Sequence, residues 1–167
     1  KRVLRIYREL ELNLRIKPKK RIIRNRPEAL GIATDINQTW SMDFMSDSLQ
    51  NGRHFRTFNV IDDYNREGLC VDADFSLPTE KVIRALERII EWRGKPAAIR
   101  CDNGPEYISQ KLVDWANFQK ITLIYTQPGK PTQNAYIERF NRTVREELLS
   151  NYLFETIDDV QMYSTKW

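Results

Sequence analysis

The sequence predicts an α/β fold in which helices flank a five-stranded mixed sheet. Three short runs of apolar and β-branched residues come first, at 38–47, 55–62 and 69–75. Two further runs, at 97–102 and 121–126, alternate with segments of helical periodicity. Strands joined by short turns favour antiparallel pairing, whereas strands that alternate with helices favour parallel pairing. Because both patterns occur in one chain, we expect a sheet that contains both kinds of pairing.

The chain begins with a predicted helix and a basic linker. One face of a helix over residues 1–14 carries the apolar side chains Val3, Tyr7, Leu10 and Leu14. Residues 16–36 then combine many Lys and Arg with two prolines, a composition that disfavours regular structure. We therefore predict a domain boundary near residue 37 and a core domain over 38–167.

Turn signals and apolar spacing predict the first part of the core. The Asn-Gly pair at 51–52 predicts a hairpin between the first two strands. A polar turn at 64–68 leads to the third strand, and Pro78 and Thr79 open a helix that runs through Trp92. The buried face of that helix is predicted to carry Val82, Ile83, Leu86, Ile89 and Ile90.

The second part of the core alternates strand and helix. The run at 97–102 is apolar up to its last residue, as expected of a central parallel strand. A helix is predicted to end near residue 120, and the Gly- and Pro-rich segment 127–133 predicts a mobile loop. Further helices are predicted over 134–149 and from residue 157. The spacing of four aromatic residues suits the core: Trp40, Trp92, Trp115 and Phe140.

Composition and charge limit the classes of function. The 167 residues are 41% hydrophobic and 11% aromatic, which is enough for one domain with a real core. No apolar run approaches the roughly 18 residues of a membrane span, and no signal peptide is recognisable. The two cysteines, Cys70 and Cys101, do not form a disulfide framework, so we expect a reducing cytoplasm. The net charge of +4 is concentrated at the N-terminus, which suits a nucleic-acid partner.

Three acidic residues stand out by their positions. Asp43 lies inside the first predicted strand and Asp102 ends the fourth, while Glu138 follows after thirty-five intervening residues on a predicted helix. Carboxylates are the ligands that Mg²⁺ takes, and two such ions can stabilise the attacking and leaving oxygens of a phosphodiester displacement. Alternatively, each Asp could cap a turn and Glu138 could belong to a surface Glu–Arg ladder. The three together favour a divalent-cation site.

Other acidic side chains compete for the same role. The predicted function of these residues is turn capping and solubility: Asp47, Asp62, Asp63, Asp72 and Asp74. Asp62 remains an alternative ligand, because its strand lies next to the strand that carries Asp43.

The motifs around the three acids carry a family resemblance. WSMDFMSD, VIDDYNRE, IRCDNGPEY and PTQNAYIERFNRTVREE resemble the integrase catalytic core of bacterial insertion-sequence transposases, in particular insertion-sequence family three, whose cores are similar to retroviral integrase. The resemblance covers roughly residues 38–167. It implies an RNase H-like fold and an acidic triad of Asp43, Asp102 and Glu138 that binds two divalent metal ions, Mg²⁺ or Mn²⁺.

The resemblance also implies a function and its partners. Such a core cleaves DNA strands and transfers them during transposition, acting on insertion-element ends and target DNA as a homo-multimer in the bacterial cytoplasm, at the nucleoid when bound to DNA. The DNA contacts expected beside the triad are Asn134, Arg142 and Arg145, and Arg145 fills the family's basic position seven residues after Glu138. Lys130, in the predicted loop, could reach a phosphate, or it could be a solvent-exposed lysine. Residues 1–37 resemble the end of a helical DNA-binding region followed by a linker, and the core is expected to be truncated at its C-terminus. The alternatives are an RNase H-like nuclease and an inactive DNA-binding remnant.

Overall fold

The computed structural model describes residues 2–10, 31–104, 107–127 and 134–167. Most of the predicted basic linker and Lys130 in the predicted loop lie outside these residues. The elements are α1 (Arg2–Glu9), β1 (Thr39–Ser48), β2 (His54–Asp62), β3 (Gly68–Asp74), α2 (Thr79–Arg93), β4 (Ala98–Cys101), α3 (Gln110–Gln119), β5 (Thr122–Tyr125), α4 (Ala135–Thr143) and α5 (Ile157–Lys166). The predicted bounds of all five strands agree with these to within one residue.

The five strands form one mixed sheet in the order β3-β2-β1-β4-β5, which confirms the predicted architecture. β1 pairs antiparallel with β2, so that Asp43 lies opposite Asn59. On its other side β1 pairs parallel with β4, with Ser41 opposite Arg100, and β4 pairs parallel with β5. Since β4 ends at Cys101, Asp102 leaves the sheet beside the strand that carries Asp43.

Each face of the sheet is covered by helices. One face presents Trp40 and Met42 to a core completed by α2 and α3. The other face presents Met45 to a smaller core formed with Val144 and Val160, from the two C-terminal helical segments. Both cores are stabilised by the removal of apolar surface from water, at about 25 cal/mol per Å².

A buried ion pair links β4 to the residue after β2 and to β1. Arg100 on β4 and Asp63, just after β2, are 3% and 2% exposed and form a salt bridge. The Oγ of Ser41 on β1 donates a hydrogen bond of 2.6 Å to the same carboxylate. The predicted role of Asp63 in solubility is therefore wrong, because its carboxylate neutralises a guanidinium inside the protein.

Two predictions about the fold need correction. The predicted helix over 134–149 keeps α-helical geometry only to Thr143, continues as a π-helical turn over Val144–Leu148, and ends as a 3₁₀ turn over Leu149–Asn151. The stretch contains no Gly or Pro that would signal this change. Trp92 was predicted to lie in the core, yet it is 59% exposed near the end of α2.

No helix in the described part of the chain has the length and apolarity that a membrane crossing requires.

Replacing Asp63 with Ala should cost far more stability than replacing a partly exposed acid. The change leaves the Arg100 charge buried without a partner, a loss of about 3–5 kcal/mol. Asp74→Ala is the matched control, because its salt bridge with Lys81 is partly exposed and should contribute about 1 kcal/mol or less. Urea denaturation of both variants measures the difference. Equal losses would contradict the structural role of the buried pair.

Candidate active site

The centre of the candidate site is Asp43, in the middle of β1. Its neighbour Met42 points into the core formed with α2 and α3, so Asp43 points to the opposite face, where α4 packs. The half-buried carboxylate accepts hydrogen bonds from the Phe44 N–H at 2.8 Å and from Nδ2 of Asn141 at 2.9 Å. The first bond fixes the carboxylate to its own strand, and the second ties it to α4.

Asn141 bridges Asp43 to the next strand. Its Oδ1 accepts a hydrogen bond of 2.7 Å from Nδ2 of Asn59, the fully buried residue opposite Asp43 on β2. One amide on α4 therefore holds side chains from two strands. Asn141 is absent from the predicted site residues, although a sequence signal existed: it lies three residues after Glu138, on an adjoining position of the same helix.

Asp102 directly follows β4, and its loop is fastened at two points. The Asp102 Oδ1 accepts a hydrogen bond of 2.8 Å from the Gly104 N–H, the pattern of an Asx turn. The Nδ2 of Asn103 donates to the carbonyl of Thr126, after β5, at 2.9 Å. The turn-capping alternative therefore holds for Asp102. It does not conflict with a site role, because the second carboxylate oxygen remains for another partner.

Glu138 lies in the first turn of α4 and is exposed to solvent. The charges of Asp102 and Glu138 both act on Asp43. The structure thus brings the three predicted acids into one electrostatic neighbourhood. In the described part of the chain, however, no three Asp, Glu, His or Cys side chains stand close enough together to form a complete set of metal ligands.

Burial and like charges raise the pKa of Asp43 from its ordinary value of 3.8 to about 6. Desolvation is the largest cause, since water is the best stabiliser of a carboxylate charge. The Phe44 N–H and the Asn141 amide oppose the increase by donating to the charged form, while Asp102 and Glu138 add repulsion. A cation beside Asp43 would remove that repulsion. The donor set is chemically suited to such an ion, because all three groups are hard oxygen ligands.

Aromatic rings form the apolar wall behind Asp43. Tyr107 is 1% exposed and stacks on Phe44, with ring centroids 5.0 Å apart and planes at 11°. Its hydroxyl has no hydrogen-bond partner among the described residues. Burial, followed by the charges of Asp43 and Asp102, raises the pKa of Tyr107 above its ordinary value. Both rings belong to the core on the Met42 side of the sheet, across β1 from the side to which Asp43 points.

The predicted DNA contacts differ in how available they are. Arg142 is exposed on α4. Arg145 is also exposed, but its guanidinium contacts the Asp47 carboxylate at 3.2 Å and the Ser46 carbonyl at 3.1 Å. Asn134, at the start of α4, is 9% exposed, and its Oδ1 has no partner within the described ranges. Of these residues, Arg142 is the one whose side chain points to solvent without an observed protein partner in the described chain.

Asp62 is not part of this cluster. It is fully buried at the end of β2, opposite Trp40. Its carboxylate accepts hydrogen bonds of 2.8 Å from the backbone N–H groups of Asn37 and Tyr64. These bonds give Asp62 the turn-capping role that its sequence position predicted. Asp62 lies three residues along β2 from Asn59, the residue opposite Asp43.

The chain is similar in sequence to a known protein family and to proteins of insertion elements. Two family models described as "Integrase core domain" match the chain, one over residues 33–131 and the other over 119–167. The insertion element IS407 31.7 kDa protein of Burkholderia multivorans is 39% identical over the whole chain, which covers 60% of that protein. The insertion element IS476 39.2 kDa protein of Xanthomonas euvesicatoria is 38% identical over the whole chain, which covers 48% of it. The chain thus spans about half the length of these relatives.

The fold is also similar to a solved structure. The HTLV-2 integrase catalytic core domain, in complex with magnesium and in a trimeric form, superposes with a TM-score of 0.63 over 77% of this chain and 82% of that chain. The sequence identity is 20%, so the likeness concerns the fold. The predicted RNase H-like fold is confirmed.

Asp43→Asn should stabilise the metal-free protein at neutral pH but not at acid pH. Because the folded-state pKa of Asp43 is raised from 3.8 to about 6, its contribution to stability is present below pH 3.8 and is lost as the pH rises through about 6. The neutral Asn avoids that loss, which is at most about 3 kcal/mol. Urea denaturation with EDTA at pH 4 and pH 8 tests this. Asp114→Asn, on an exposed part of α3, should change stability little at either pH.

Asn141→Ala should raise the pKa of Asp43 above about 6, since the amide stabilises the charged carboxylate. Titration of the Asp43 carboxyl carbon by NMR measures the shift. Asn117→Ala, at an exposed position on α3, is the control and should leave that pKa unchanged. A lower or identical pKa in Asn141→Ala would contradict the hydrogen bond between α4 and β1.

Proposed function

We propose that this chain, which belongs to the integrase core domain family, cleaves and joins DNA strands as the catalytic core of an insertion-element transposase. The motifs around the three acids predicted that family, and the family match confirms the prediction. The observation that carries the proposed activity is the electrostatic coupling of Asp43, Asp102 and Glu138 at the junction of β1, β4 and α4.

We assign the roles of metal ligands to Asp43, Asp102 and Glu138. The repulsion that Asp102 and Glu138 exert on Asp43 supports a bound cation, as does the magnesium in the HTLV-2 integrase core. Asp43 and Asp102 come from neighbouring strands, whereas Glu138 would complete the set by a change in its side-chain position. When bound, two Mg²⁺ or Mn²⁺ ions would supply Lewis-acid stabilisation of a phosphodiester undergoing in-line displacement.

The remaining residues position these acids and the DNA. Asn141 orients the Asp43 carboxylate through its hydrogen bond. Arg142 on the exposed side of α4 is suited to a DNA phosphate. We extend the same role to three further residues: Arg145, Asn134 and Lys130. Arg145 would exchange its contact with the Asp47 carboxylate for a contact with a phosphate.

The proposed partners are insertion-element ends and target DNA. Residues 1–37 supply a basic N-terminal segment that would contact DNA nonspecifically, and residues 38–167 form the catalytic core. Two DNA ends have to be held together for joining, so we propose a homo-multimer as the working form. It would act in the bacterial cytoplasm and associate with the nucleoid when bound to DNA.

Strand cleavage and joining on branched insertion-end DNA with Mg²⁺ or Mn²⁺ tests the activity. Asp102→Asn should reduce both reactions to the level seen with EDTA, because it removes one carboxylate charge from the site. Asp114→Asn carries the same chemical change on the exposed face of α3 and should keep full activity. Equal activity of Asp102→Asn and the unchanged chain would refute the acidic triad.

Metal binding can be tested without DNA. Mg²⁺ should raise the melting temperature of the unchanged chain at pH 8 and leave that of Asp102→Asn unaltered. Asn141→Ala should weaken metal binding by roughly 10- to 100-fold, the usual effect of losing a residue that orients a ligand. Calorimetric titration with Mn²⁺ gives these affinities.

A further inference from the structure

A second groove borders the face of α4 that points away from Glu138. It has a volume of about 580 Å³ and lies between α4, the turn that joins β2 to β3, and the end of α5. Helical spacing places Tyr136, Arg139 and Thr143 on this side of α4, roughly opposite Glu138. The groove is therefore separate from the acidic site, although one helix contributes to both.

The groove combines two guanidinium groups with aromatic rings. The Arg66 Cζ lies 3.3 Å from the centroid of the Tyr136 ring, a cation–π contact. Arg139 and Trp167 also line the groove, and Trp167 is 46% exposed. None of the described residues that line it is acidic, and neither arginine forms a salt bridge with a carboxylate in the described chain. The nearby Glu67 is engaged by Arg93.

Local structure holds these groups in place. Arg66 has a φ of 65°, in the left-handed region that favours Gly or Asn, and its N–H donates a hydrogen bond of 2.9 Å to the Asp62 carbonyl. The turn thereby directs the Arg66 side chain onto α4. The N–H of Trp167 donates to the Tyr163 carbonyl at 3.0 Å, and its indole packs on Phe140 with ring centroids 5.9 Å apart.

We propose that this groove binds a single-stranded stretch of DNA, with a base against the Trp167 indole and a phosphate held by Arg66 and Arg139. Guanidinium groups bind phosphate oxygens through paired N–H donors, and an Arg that is stacked on a ring keeps those edges available. Exposed rings bind unpaired bases by stacking. A duplex keeps its bases stacked internally, and a groove of 580 Å³ accommodates a nucleotide rather than a double helix. This inference rests on the proposed action on DNA.

A different groove, which shares Phe140 and Trp167 with the proposed one, differs in charge. It lies between β3, α2 and α5 and is lined by Asp72 and Glu91 as well as Arg88. Arg88 is paired there with Asp72. A phosphate would meet carboxylates on that side of the Phe140–Trp167 pair, whereas on the α4 side it would meet two arginines. The charge distribution therefore assigns the DNA to the α4 side.

The test is fluorescence anisotropy of a labelled oligothymidylate, and of a hairpin duplex of the same length, with EDTA present so that the acidic site holds no cation. Trp167→Ala should weaken single-strand binding about tenfold, the loss expected for one stacked base. The double variant Arg66→Gln with Arg139→Gln should lower the slope of log affinity against log salt by about 1.4, as expected for two lost contacts to single-strand phosphates. The basic N-terminal segment contributes equally to the DNA affinity of every variant. The result is therefore the difference in affinity between each variant and the unchanged chain.

Matched controls use groups outside the groove. Arg84→Gln combined with Lys120→Gln removes two charges from exposed positions, and Trp92→Ala removes an exposed indole. Both should bind oligothymidylate almost as the unchanged chain does. Asp102→Asn should also bind it normally while losing strand cleavage, so failure of the catalytic proposal and failure of this one are distinguishable.

Three results would overturn the inference. The first is an equal loss of affinity in the groove variants and their controls, which would reflect net charge alone. The second is an equal loss on the hairpin duplex, which would exclude a site for unpaired bases. The third is a change in oligomeric state of the double variant by light scattering without loss of single-strand affinity, which would show that a second copy fills the groove.

Discussion

The site depends on the position of one half-buried carboxylate, that of Asp43, beside two other acids. Desolvation and repulsion both disfavour its charged form. The opposing contributions are hydrogen bonds from the Phe44 N–H and the Asn141 amide. The second bond exists only while α4 lies on the sheet at its present distance from β1. The packing of α4 is therefore a condition for this arrangement of the acids, and a bound cation would stabilise that packing as well as the carboxylates.

The register of β1 and β4 is the second condition, and the buried ion pair maintains it. Arg100 lies opposite Ser41 in the parallel pairing, and both contact the Asp63 carboxylate. Since side chains alternate along a strand, a slip of one residue would turn Arg100 to the apolar face and move Asp102 away from Asp43. Such a slip would separate the buried Arg100 charge from its partner, at a cost of about 3–5 kcal/mol.

The sequence was informative wherever the determining pattern was local. Strand periodicity was sufficient to place Asp43 inside the first strand and Asp102 at the end of the fourth, whereas the pairing of these two strands follows from the RNase H-like fold that the motifs imply. The bridge from Asn141 to Asn59 joins residues that are distant in the chain. The spacing from Glu138 places Asn141 beside the site, but no local pattern pairs it with Asn59. The exposure of Trp92 and the π-helical turn after Thr143 depend likewise on tertiary packing. The placement of Glu138 in the acidic site, rather than in a surface ladder, rests on the motif resemblance and on its charge acting on Asp43.

Helix α4 contributes one side to the acidic cluster, through Glu138 and Asn141, and the opposite side to the groove that contains Tyr136 and Arg139. A helix is rigid over nine residues, so a rotation about its axis moves both sides at once and in opposite directions relative to the sheet. Single-stranded DNA bound in the groove and a cation bound by the acids would then each favour one orientation of α4. Two such ligands would be thermodynamically linked through that shared orientation, and each would alter the affinity for the other by the same factor.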